Sequence, residues 1–163
     1  MLQAKRYNTL TALTGRNQLD SSYPAAFYLL SYDTELYEVA CQYVNRDGID
    51  FAGIKRATRG FDERSRQVID IAHNLFSWNS KCNATPFDVS RLGYPYMELV
   101  CNAIYIAADE IKVVIEPDQN HKVQMTLDTE PYEKTKRIHS RLEQMQAALT
   151  AEAEAAESYE MER

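Results

Sequence analysis

The stretch FYLLSYDTELYEVACQYV, residues 27–44, reads as two helices joined across a capped Asp33-Thr34 turn. After the turn Leu36, Val39, Ala40 and Tyr43 recur at helical spacing, and either Asp33 or Thr34 can offer an oxygen to the first free backbone N–H groups. Before it, Asp20, Ser21 and Ser22 supply cap oxygens, and Pro24 falls where the first helical turn needs no N–H donor. One helix should therefore end near Ser31. The next should run to Asn45-Arg46-Asp47-Gly48, whose Asp-Gly pair stops it. Side chains that build a helical core fill the stretch, and no catalytic pattern interrupts them.

Working outward, Leu2, Tyr7, Leu10 and Leu13 fall roughly on one helical face, and Gly15 follows where a helix end favours positive φ. This predicts a first helix over 2–14. Residues 49–61, with anchors at Ile49, Phe51 and Ile54, fit a short helical turn plus loop. Asp62 opens the clearest helix, with Val68, Ile69, Ala72, Leu75 and Phe76 on one face and Arg64, Arg66 and Asp70 on the other. Thr85-Pro86-Phe87-Asp88 carries a capping-box signal for a short helix stopping at Gly93. From Pro95, the stripe Met97, Val100, Cys101, Ile104 and Ala107 predicts a central, largely buried helix ending near Asp109 or Glu110.

The helical rhythm then breaks. Val113, Val114 and Ile115, a polar Glu-Pro-Asp-Gln-Asn turn, and alternating Val123, Met125 and Leu127 suggest a small hairpin, which needs support from the helices or a partner chain. Thr129 and Pro131 introduce a last helix with Ile138, Leu142, Met145 and Leu149 at 4-3-4 spacing, which suits docking on another helix or a twofold mate. Beyond Ala151 the alanine- and glutamate-rich sequence is poor in anchors and should fray. The fold class expected is all-α: a compact multi-helix bundle of five to seven helices over 1–110, a connector over 111–128 with a β-hairpin near 111–127, and a C-terminal helix over 129–163 with a frayed acidic end.

Composition narrows the function classes. With 163 residues and 45% hydrophobic content, the chain can build one real core. A formal net charge of −6 disfavours broad contact with a phosphate backbone and favours a neutral or basic partner. Cys41, Cys82 and Cys101, odd in number and widely spaced, make neither a disulfide framework nor a zinc signature, and read as reduced thiols of a cytoplasmic protein. Neither a secretory h-region nor an 18-residue apolar run is visible, so no membrane role is expected.

Taken in order, FYLLSYDTELY, GIDF, IDIAHNLFSW and AIYIA resemble a family of unknown function, small helical proteins encoded by phages and integrative elements of Firmicutes. The resemblance covers roughly residues 20–108. It is carried by core-forming positions: Tyr28, Leu29, Leu30, Glu35, Leu36, Tyr37, Ala72, Asn74, Leu75, Phe76, Ala103, Ile104 and Ala107. It implies a helical fold and a mobile-element origin, and it carries over no catalytic residue.

Four features outside the scaffold could bear function. Asp70, His73 and Asn74 lie within one helical turn, so His73 could be a general base oriented by Asp70; the structural alternative is a half-buried histidine beside an asparagine bracing helix to loop. Trp78, near the end of that helix, could anchor a ligand or partner, although a tryptophan there usually closes one end of a small core. Lys55, Arg56, Arg59, Arg64 and Arg66 against Asp62 and Glu63 form the strongest basic segment, the best candidate for a polyanion contact, although a single interleaved aromatic, Phe61, and the acidic surroundings disfavour nucleic acid. Tyrosine is abundant, 11 copies, and Tyr7, Tyr23, Tyr94, Tyr96 and Tyr132 fall at element ends where a ring can pack while its hydroxyl stays wet. No glycine-rich phosphate loop or metal motif is present, so no cofactor is expected. The reading that follows is a non-enzymatic interaction protein with a protein partner, in one form an inhibitor of a defence or nucleic-acid-handling enzyme in the manner of an anti-CRISPR. Its surfaces would be the basic segment, Tyr94, Tyr96 and Tyr132, and the stripe Ile138, Leu142, Met145 and Leu149. The alternative is a homo-oligomeric structural or regulatory module paired through that stripe.

Overall fold

The computed structural model describes residues 2–16 and 19–161. It divides into two compact units, residues 1–128 and 129–163. The fold is predominantly helical, as expected, and carries two small antiparallel ribbons: the hairpin expected near 111–127 and a second, unexpected one at Val44–Ile49.

In the first unit, α1 (Leu2–Leu13) is followed by α2 (Ser22–Leu30), whose sequence SYPAAFYLL is apolar nearly all round. A helix apolar on every face has to be surrounded. Accordingly α2 packs against α1, α3 (Thr34–Tyr43), α5 (Glu63–Phe76) and α7 (Tyr96–Ala107), and seven of its nine residues are buried. Phe27, Leu29 and Leu30 are fully enclosed with Leu10, Ile54, Ile69 and Ile106.

The α2–α3 turn is built as the sequence suggests, with Asp33 as the cap: its Oδ1 accepts from the N–H of Glu35 at 2.9 Å and of Leu36 at 3.3 Å. Periodicity does not anticipate Arg6, which is 7% exposed. Its guanidinium donates to the Tyr32 carbonyl at 2.9 Å, to the Ser31 carbonyl at 3.5 Å and to Thr34 Oγ1, and it lies 5.6 Å from the Tyr37 ring centroid. A permanent cation thus satisfies carbonyls left over at the end of α2 and ties α1 to the turn.

After α3 the chain makes a ribbon of two-residue strands, β1 (Val44–Asn45) and β2 (Gly48–Ile49), where only a helix stop was expected. Asn45 Oδ1 accepts from the Asp47 N–H at 2.8 Å to close the turn. The short turn expected next is a two-turn helix, α4 (Phe51–Ala57), with Asp50 as its cap. A Cβ at Gly53 would collide with the Tyr43 ring, so this glycine allows α4 to lie against α3. Asp62 caps α5 through the Ser65 N–H at 2.7 Å, and Thr85 and Asp88 form the predicted capping box of α6 (Pro86–Arg91).

Helix α7 departs from expectation. Its buried face is Leu99, Val100, Ala103 and Ile106, whereas Met97 and Ile104 are 42% and 48% exposed. The predicted stripe was one position out of phase with the buried one. The hairpin is present as β3 (Lys112–Pro117) and β4 (Val123–Asp128), in a register pairing Val113 with Leu127 and Ile115 with Met125. Those four side chains pack on the core, β4 lies against α1, and the ribbon takes its support from the helices of this unit.

The second unit is one helix, α8 (Glu130–Met161). It continues through the alanine- and glutamate-rich segment where fraying beyond Ala151 was expected. Alanine and glutamate are strong helix formers, and the segment needs no packing to favour that conformation locally.

Candidate interaction surfaces

The five cations of the basic segment are not presented as one patch. Lys55, Arg59 and Arg66 converge from the end of α4 and from α5 on a pocket of 230 Å³, also lined by Thr58, Ile69 and Asp70. Lys55 Nζ is 2.8 Å from Asp70 Oδ1, so one of the three charges is already paired. Arg64 points elsewhere: its guanidinium stacks 5.1 Å from the Tyr96 ring centroid and lines a groove with Asp62, Glu63, Asp88 and Arg91. Arg56 is exposed and lines neither space. Carboxylates at 62, 63, 70 and 88 interleave with these cations, which breaks the continuous positive track that a polyanion needs.

The pair proposed for base chemistry is also taken apart. The Asp70 carboxylate faces Lys55, while the His73 imidazole lies flat on the Phe51 ring, 4.6 Å between centroids and 16° between planes. His73 Nδ1 is buried without a hydrogen-bond partner. Burial, and then the Lys55 charge, hold its pKa below the ordinary imidazole value, with Asp70 opposing. Asn74 takes the bracing role: its Nδ2 donates to the Ser80 carbonyl at 2.9 Å and the Trp78 carbonyl at 3.4 Å, fixing the loop that leaves α5. Among the described residues no three His, Cys, Asp or Glu side chains gather as a metal site, and the three cysteines are free thiols.

The tyrosines divide. Tyr7 and Tyr23, expected at wet element ends, are core residues, 8% and 4% exposed, and burial pushes the Tyr7 phenol up to about 12. Tyr96 is half-buried edge-on to Tyr32 at 5.7 Å, beneath Arg64, and its pKa is raised first by burial and then by the Asp33 charge. Tyr94 is 85% exposed, and Tyr132, in α8, is half-buried.

Comparisons with protein-family models, with curated proteins and with solved structures each find no match. The functional reading therefore rests on the surface of this chain.

That surface includes two large rings: Trp78, for which the sequence offers both an anchoring and a core-closing role, and Phe87, which the sequence marks only as part of a capping segment. Trp78 is 89% exposed, so its expected role of closing the core is corrected; Phe87 is 69% exposed. A signal for each exists. Trp78 lies beyond Ser77, the residue that ends α5, and is therefore outside the periodic face that buries Val68, Ile69 and Ala72. Val89 and Leu92 set the inward face of α6, and Phe87, two positions before Val89, points about 200° away from it. Arg91 lies 5.9 Å from the Phe87 ring centroid. Together with Tyr94 these rings put three large aromatics on the segment between α5 and α7. On α8 the stripe Ile138, Leu142, Met145 and Leu149 is 49%, 58%, 63% and 65% exposed. No helix among the described residues is long and apolar enough to cross a membrane.

Proposed function

We propose that this chain is a non-enzymatic interaction protein of a phage or mobile element, acting in the cytoplasm on a bacterial or element-encoded protein. Its concrete form is an inhibitor of a defence or nucleic-acid-handling enzyme, in the manner of an anti-CRISPR. One observation carries the reading: Trp78, Phe87 and Tyr94 are all exposed on one short segment braced by Asn74 and the Thr85–Asp88 capping box. Large rings on an ordered segment give contact area at little entropic cost, which is how interface anchors work. The net charge of −6 favours a basic groove of the kind that otherwise holds nucleic acid. The resemblance carried by FYLLSYDTELY and IDIAHNLFSW supplies the mobile-element setting.

Co-purification from a bacterial host should recover a stoichiometric, salt-sensitive partner whose nucleic-acid-handling activity falls when the chain is added back. Trp78→Ala with Phe87→Ala should lose the partner while unfolding at the wild-type temperature. Clean, partner-free preparations from several hosts would end this reading. The exposed stripe on α8 favours a second one, a homo-oligomeric structural or regulatory helical module.

A further inference from the structure

We propose that α8 pairs with α8 of a second copy of this chain, and that the two helices run antiparallel. The proposal rests on the second reading above, self-association, and adds its polarity and register. From Lys134 to Tyr159 every side chain of α8 is exposed, and the apolar ones at 138, 142, 145 and 149 follow the 4-3-4 rhythm of a left-handed two-helix seam.

The charges are segregated along the same helix. Its first half carries Lys134, Lys136, Arg137 and Arg141 against Glu130 and Glu133; from Leu142 to Met161 it has no Lys or Arg and carries Glu143, Glu152, Glu154, Glu157 and Glu160. A parallel, in-register pair would set like charge against like along its length. It would also bring Glu152, which continues the 4-3-4 seam beyond Leu149, against its own copy. An antiparallel pair centred between Leu142 and Met145 takes Glu152 away from its own copy and sets the cation-bearing half beside the half without Lys or Arg. Ile138 then meets Leu149 of the second copy, Leu142 meets Met145, and Glu152 falls opposite Thr135 and next to Lys134, the one cation among Lys134, Lys136 and Arg137 that lies at the seam edge. By symmetry each contact is made twice. Ala148 and Ala153 flank the acidic half of the seam and leave room for the long basic side chains to lie across it.

Light scattering and sedimentation of the full chain test this, with helicity followed by circular dichroism. The wild type should approach twice 18.8 kDa as concentration rises, and Leu142→Glu should stay at 18.8 kDa. Reversing the cation at the seam edge, Lys134→Glu, should weaken the dimer about threefold or more, since two Lys134–Glu152 attractions become repulsions. Adding Glu152→Lys to the same chain should restore wild-type affinity, because the two seam-edge pairs match again with their signs exchanged. A dimer indifferent to all of these reversals would overturn the antiparallel register while leaving self-association standing. A wild type that is monomeric at every concentration would overturn both.

Discussion

Helix α2 has seven of nine residues buried, whereas α8 has none from Lys134 to Tyr159. The first is a dense apolar segment that intrinsic propensity alone would hardly hold together. It is stabilised by helices on several sides, by Asp33 at the turn that follows and by the Arg6 guanidinium at its end. The second is rich in alanine and glutamate, holds its shape by local preference, and keeps one narrow apolar stripe open. The contrast separates scaffold from interaction element: substitutions in α2 should act on folding, and substitutions in α8 on association.

The largest expected effect is at the centre of the scaffold. Phe27→Ala should cost about 3–5 kcal/mol in the urea unfolding free energy, as for other fully enclosed aromatics. Arg6→Met should cost about 2–3 kcal/mol by the same measurement, because buried carbonyls at the end of α2 lose a charged donor. A loss below about 0.5 kcal/mol at either position would mean that α2 is not held as described.

A smaller effect depends on pH. His73 has a folded-state pKa below its ordinary value of 6.5, so the unfolded chain binds the proton more readily and stability rises with pH through this window. The contribution is complete above about 6.5 and declines as pH falls towards the folded value. His73→Phe, which keeps a flat ring on Phe51, should therefore show a smaller drop in urea midpoint than the wild type between about pH 7 and pH 5.5. The smallest effect is on α8: Leu142→Glu should leave the unfolding of the first unit within about 0.5 kcal/mol of wild type, measured at a dilution where association is absent.

The same contrast explains what sequence reading could reach. Caps and turns were readable because their chemistry is local: Asp33, Asp62 and the Thr85–Asp88 box each act within three residues of themselves. The apolar face of α5 was readable because its period is unbroken. Helix α7 was misphased because it is apolar on two sides, and only the surrounding helices decide that Leu99 and Ile106 go inward while Met97 and Ile104 stay out. The ribbon at Val44–Ile49 is too short to show any alternation. Arg6 and Lys55 act across 25 and 15 residues of sequence, on a carbonyl and a carboxylate that no spacing rule connects to them. For the candidate surfaces, residue types were readable but grouping was not: five basic residues close in sequence separated once α4 and α5 turned them to different sides, and Trp78 left the core because α5 ends at Phe76, two residues before it.

Hydrogen exchange on the full chain, at protein concentrations below and above the association range, tests the division between scaffold and interaction element most directly. Amides of α2 and α5 should show the same high protection at both concentrations and in Leu142→Glu, whereas amides around 138–149 of α8 should gain protection only at the higher concentration and only in the wild type. Protection in α8 that matches α2 at the lower concentration, or that survives Leu142→Glu, would contradict it.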